Sequence, residues 1–148
     1  MINLTKEEYK KKISIIRIFA ISISGILLMF SLTQNAYYIE GMKDSVGSFG
    51  LIAFLFGWMD LGGAGISWLA NPLLFISWIL MITNRYNLAI LFGCLAVIFS
   101  LSFLCFENII ANEGGGESQI IAYDNGYWFW ICSCISNFIG TCILFSKS

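Results

Sequence analysis

Carboxylates are the groups in this chain best placed for chemistry, and most of them gather in a few polar stretches. Glu40, Asp44, Asp60, Glu107, Glu113, Glu117 and Asp124 share those stretches with a single base, Lys43. Acids grouped this way attract cations or a basic partner. Their spacing is not that of an EF-hand, and nothing in it brings several oxygens onto one ion. No metal is expected. The simpler account is that acids keep these loops solvated.

Histidine is absent. That removes the usual base for a serine or cysteine nucleophile and the commonest metal ligand. No catalytic constellation and no cofactor motif is found, so the chain is expected not to be an enzyme. No basic patch with interleaved aromatics points to nucleic acid.

Three further groups stand out. Trp58 and Trp68 flank Asp60 and would make an aromatic cage for a cation, or else serve as interface and packing residues. Asn71-Pro72 sits inside an apolar tract, where an amide either lines a polar pathway or caps a helix. Asn137 lies near the middle of another apolar tract, where its amide needs a partner on a neighbouring helix.

The cysteines are Cys94, Cys105, Cys132, Cys134 and Cys142, all in apolar segments. Cys132 and Cys134 are two apart, so on a helix they point to nearly opposite sides and cannot share one metal or one disulfide. Cys105 and Cys132 fall near the same end of their helices and are the one pair with a prospect of joining. Otherwise the thiols behave as small apolar residues.

The elements that must hold these residues are set by composition. Hydrophobic residues are 58%, charged residues 11% and mean hydropathy is +0.80. A soluble chain has about 25% charged residues. Four mostly apolar segments of 18 to 20 residues occur at 13–32, 66–83, 88–106 and 127–145, each near the length of about 20 that crosses a bilayer. The expectation is an all-α integral membrane protein, a bundle of four transmembrane helices forming a single domain over 1–148.

Residues 49–83 are the exception to simple spans. As one straight helix these 35 residues would run about 52 Å, against a hydrocarbon core of about 30 Å. Asp60 and the glycines at 62, 63 and 65 mark the break. A short helix over about 49–59, either re-entrant or interfacial, then precedes the second span. A kinked span from about 66 fits the bilayer better than a helix beginning at Pro72, which would be too short.

At the start, Thr5 and Glu8 have the spacing of a capping box, so the first helix is expected to begin in water near Lys6. Its apolar run is too long for a signal peptide and no small-residue cleavage site follows, so it is read as uncleaved. Arg17 can snorkel to the interface. Tyr37 and Tyr38 suit an interface belt. Ala89 with Gly93, and Ala96 with Ser100, permit close helix approach. The 107–126 connection is read as flexible or sharply turned at Gly114 to Gly116.

Charge sets the orientation. Four spans put both termini on one side with Lys6, Lys10, Lys11, Lys12, Arg17, Arg85 and Lys147, seven of the eight bases; the other side has one lysine against seven acids, a formal −6. The positive-inside rule makes the termini cytoplasmic, in a bacterial inner membrane or a plasma membrane.

Four spans are a general tetraspan pattern. The claudin-like Gly-Leu-Trp with two loop cysteines is absent, and no residue motif links the chain to small bacterial immunity proteins of this size. The leading functional expectation is a non-enzymatic accessory or immunity-like protein. It would bind another membrane or secreted protein through its outer acidic loops or helix faces. Besides the lipid bilayer, a second copy in a homo-oligomer is a candidate partner. The alternative is a small oligomeric channel or transporter with a pathway near Gly62 to Asn71, lined by Asp60, Asn71 and Asn137.

Overall fold

The structure is a computed structural model that describes residues 5–41, 46–110 and 116–147. The described chain is mostly helical. Its elements are α1 (Lys6–Leu32), β1 (Tyr37–Ile39), α2 (Gly50–Phe56), α3 (Ala70–Ile82), α4 (Tyr86–Ser102), β2 (Asn108–Ile110), β3 (Glu117–Tyr123) and α5 (Asn125–Phe145). Short 3-10 helices lie at Gly57–Asp60, Ala64–Leu69 and Phe103–Cys105. Among the described residues, Lys6–Leu32, Ala64–Ile82, Tyr86–Cys105 and Asn125–Phe145 are long and apolar enough to cross a membrane.

α1 starts where its capping box directs it. The Thr5 hydroxyl accepts from the Glu8 backbone N–H at 3.3 Å, and the Glu8 carboxylate accepts from the Thr5 N–H at 2.8 Å. The helix ends packed antiparallel on α5. The Tyr9 hydroxyl bonds the Lys147 carbonyl at one end, and the Ser31 hydroxyl donates to the Gly126 carbonyl at 2.7 Å at the other.

The seam between these helices is made of small residues at seven-residue spacing. Gly126, Ser133 and Gly140 on α5 face Ser31, Ser24 and Ala20 on α1. Small residues of this kind let the two backbones approach closely and gain van der Waals contact. α4 presents Ala89, Gly93, Ala96 and Ser100, all buried, as its packing face. The turn joining it to α3 places Asn84 in the left-handed region at φ 60. Arg17 crosses to this turn, donating to the Asn84 side chain at 2.7 Å and to the Ile82 carbonyl at 3.3 Å. It satisfies a carbonyl left over at the end of α3. The guanidinium expected to snorkel therefore ties α1 to the α3–α4 turn.

The interior mixes polar and apolar side chains: Ser24, Ser77, Ser100, Ser133, Asn137 and Thr141 are all 0% exposed, and so are Leu74, Met81 and Leu144. Many other large apolar side chains face outward. Phe19 is 66% exposed, Met29 64%, Ile79 59% and Ile98 54%.

Opposite the termini the chain builds a cap that the sequence reading did not contain. β1, β3 and β2 form an antiparallel sheet in that order. Tyr37 pairs with Tyr123 and Asn108 with Gln119, with an irregularity between Tyr38 and Ile39. The described part of the 107–126 connection is thus mostly strand. Gly114 and Gly115 lie outside the described residues. Tyr37 is buried in this sheet, so it is not an interface-belt residue.

The stretch after α1 threads between two other segments. Gly50 N–H donates to Gln34 O at 2.8 Å and Gly126 N–H to Asn35 O at 2.9 Å. A Cβ on Gly50 would collide with the Ser31 carbonyl, and one on Gly126 would lie 2.6 Å from Asn35 O. Only glycine allows this approach.

The second long apolar helix covers Ala64–Ile82, close to the expected 66–83. α3 begins at Ala70, so Pro72 falls in its first turn, where no intrahelical bond needs its missing N–H. The 3-10 helix Ala64–Leu69 runs directly into α3 and makes up the length. Asn71 lies inside the helix and does not cap it.

Candidate functional site

Beneath the cap lies a half-open cavity of about 770 Å³, within the roughly 300–1,000 Å³ of small-molecule sites. Its walls come from the end of α1, from α2 and the turns after it, from the start of α3, from α5 and from β1 and β2. Short 3-10 turns can line such a space. The Gly57–Asp60 and Ala64–Leu69 segments do so here.

Asp60 stands at the break. Its carboxylate accepts from the Gly65 N–H at 3.4 Å and its carbonyl accepts from the Gly63 N–H at 3.0 Å. The acid therefore closes the turn and supplies an acceptor at the start of the next helix. It also borders the cavity. Its charge is felt by Tyr37, whose phenol pKa is pushed up to about 12, first by burial and then by Asp60. The Tyr37 hydroxyl donates to Gly47 O at 3.2 Å.

Asn71 lines the cavity and is 4% exposed. The Trp130 indole N–H donates to its Oδ1 at 2.8 Å. An indole only donates, so this bond fixes the amide oxygen and leaves the NH₂ for the cavity. Trp68 also lines the space, with its indole donating to Phe54 O at 2.6 Å. That bond staples α2 to the Ala64–Leu69 turn. Phe103 and Tyr127 contribute aromatic wall, their rings 5.5 Å apart.

The expected site residues divide between places. Asp60, Trp68 and Asn71 come together in the cavity. Trp58 does not: it is 50% exposed, with its indole donating to Leu55 O at 2.9 Å on its own turn. A cage of Trp58, Trp68 and Asp60 is therefore not built. Local bonding of the Trp58 indole turns that ring outward, and Trp130 and Tyr127 supply the aromatic wall instead. Pro72 is half-buried behind Asn71.

Asn137 is separate again. Its Nδ2 donates to Ser77 Oγ at 2.9 Å, and Ser77 Oγ donates to Ala89 O at 2.9 Å. Gly93 leaves room for this pair; a Cβ there would lie 3.3 Å from both side chains. The Asn137 Oδ1 is buried without a hydrogen bond among the described residues. This cluster packs helices and does not continue the cavity.

Of the acids, Glu107 and Glu117 are exposed on the cap. Glu117 accepts from Asn108 Nδ2 at 3.2 Å, and Asp124 accepts from the Tyr38 hydroxyl at 2.7 Å. Glu113, like Lys43 and Asp44, lies outside the described residues. No group of three His, Cys, Asp or Glu placed to hold a metal occurs among the described residues. All five cysteines are free thiols. Cys105 and Cys132 are both exposed and unjoined, while Cys134 is buried on the other side of α5 from Cys132.

Sequence reasoning missed Tyr37, Trp130 and Tyr127 as cavity residues. One signal was present. Ile109-Ile110 and Ile120-Ile121 bracket the glycine run, which is a hairpin pattern.

No family model, curated protein or solved structure matches the chain.

Proposed function

We propose that the chain is a four-span integral membrane protein that acts without catalysis, by binding at its outer end. The many outward-facing apolar side chains support the membrane placement. Fully buried serines and an asparagine share the interior with Leu74, Met81 and Leu144, while Phe19, Met29 and Ile79 face out. In water that surface would be a liability, but against lipid tails it is neutral. The basic residues of the termini and of the 83–85 turn meet at one end, which the positive-inside rule assigns to the cytoplasm. The cap then faces outward.

The observation that carries the binding role is that the outer acids sit on a built sheet. Glu107 and Glu117 are held at the two ends of the β2–β3 hairpin, exposed and facing no described base. Ordered like charges present a defined face to a basic partner at little ordering cost. The partner is another membrane or secreted protein, in the manner of an accessory or immunity factor.

Crosslinking in the native membrane with mass spectrometry tests this. A partner recovered with the wild type and lost in a Glu107→Lys/Glu117→Lys variant supports it. A self-crosslinked ladder with no other protein moves the reading to a homo-oligomer.

The second reading is a small channel or transporter with a pathway near Gly62 to Asn71. Its support is that Asp60 and Asn71 border one cavity. Below them, however, Leu74, Met81 and Leu144 are 0% exposed and Asn137 is bonded to Ser77, so the polar groups do not continue through one chain. Ion flux in liposomes that falls with Asp60→Asn and Asn71→Leu would revive it.

A further inference from the structure

We propose that the cavity under the cap binds a phospholipid whose headgroup carries an ammonium, taken from the outer leaflet; this rests on the membrane placement above. The mouth of the cavity is apolar. Among its lining residues, Phe56 is 53% exposed, Met59 67% and Ile110 46%. An opening of that character suits acyl chains better than a free polar solute.

Two polar groups inside are left with capacity. Asp60 has one long hydrogen bond, from Gly65 at 3.4 Å. Every Lys and Arg among the described residues lies toward the opposite end, on α1, on the α3–α4 turn or at Lys147, so no described cation neutralises it. Asn71 has its oxygen engaged by Trp130 and its NH₂ hydrogens without an acceptor among the described residues. An anionic acceptor and an amide donor bordering one aromatic-walled space match the ammonium and phosphate of a zwitterionic head. A headgroup with phosphate but no ammonium would bring like charge to Asp60. The chains leave through the apolar mouth into the bilayer.

The test uses the full chain reconstituted in vesicles of equimolar phosphatidylethanolamine and phosphatidylglycerol with matched chains. Native mass spectrometry then identifies the first retained lipid. Phosphatidylethanolamine should exceed phosphatidylglycerol about tenfold, the discrimination one charge-assisted hydrogen bond can supply. Asp60→Asn should bring the two near parity. Ala53→Phe, which fills the cavity wall, should lose most of the retained lipid while the melting temperature holds.

Parity in the wild type overturns the inference, and so does a preference unchanged by Asp60→Asn. Displacement by millimolar free ethanolamine overturns it too, because the site would then belong to a soluble amine. A chain that does not float with vesicles rejects the membrane placement as well. A chain that floats and retains both lipids equally rejects only this site.

Discussion

Ser24 and Ser133 exchange hydrogen bonds across the α1–α5 seam. The Ser24 hydroxyl donates to the Ser133 carbonyl at 2.9 Å, and the Ser133 hydroxyl donates to the Ser24 carbonyl at 2.8 Å. Both residues are 0% exposed, and the Trp78 indole donates to Ser24 Oγ at 3.2 Å. The hydroxyls thus use backbone carbonyls that already serve the helices, and they fix the register of the two longest elements.

Loss of either hydroxyl should cost little, and loss of closeness should cost more. Interhelical bonds in membranes average about 0.6 kcal/mol, so Ser133→Ala is expected to destabilise by about that amount. Gly140→Leu should destabilise by about 1–3 kcal/mol through overpacking, because even a Cβ there would lie 2.5 Å from that of Ala20. Reversible unfolding in mixed micelles measures both. Equal effects would contradict the close-approach account.

The cap depends on glycine at Gly50 but not at Gly62. A Cβ at Gly50 would meet the backbone of Ser31 and Gln34, whereas one at Gly62 meets nothing within 4 Å. Gly50→Ala should lower stability by about 1–3 kcal/mol, and Gly62→Ala should stay within about 0.5 kcal/mol of wild type. A thermal scan of the two variants side by side separates them.

Arg17 should matter through the α3–α4 turn. Replacing it by Met keeps the stem but removes the 2.7 Å bond to Asn84 and the bond to Ile82 O. Bonds to charged groups are worth about 1.5–3 kcal/mol when buried, and the half-exposed site puts the expected loss near or below the lower figure. Faster proteolysis at the 83–85 turn would report it. Asn84→Gly should share the defect although glycine accepts the φ of 60.

Tyr37 should titrate late. Its folded pKa of about 12 lies above the ordinary value of 10 because burial and then Asp60 disfavour the phenolate. The folded state therefore holds this proton longer than the unfolded chain. Its contribution to stability is complete below pH 10 and is lost as pH rises through about 12. The absorbance difference between wild type and Tyr37→Phe should show that midpoint, and a midpoint at 10 would mean the phenol is not buried.

The thiols should all be free. A maleimide count on the denatured, unreduced protein should return five. In intact membranes exposed Cys105 should react well before buried Cys134.

The sequence alone determined the helical scaffold. Apolar length set the four long helices, Thr5 and Glu8 set where α1 starts, and small residues such as Ala89, Gly93, Ala96 and Ser100 marked the face of α4 that packs. These are local signals, because a helix satisfies its own backbone and its neighbours only have to fit.

The cap and its cavity were decided by tertiary structure. β1 is three residues long and pairs with a strand more than eighty residues away, Tyr37 with Tyr123. No periodicity within so short a segment can announce a partner at that distance. The direction of an indole is equally non-local. Trp58 and Trp68 look alike in the sequence, but Trp58 bonds its own turn and faces out while Trp68 bonds Phe54 and faces the cavity. Which ring enters the site depended on where α2 folded back, and that was set by backbone contacts at Gly50 and Gly65 that only the assembled chain creates.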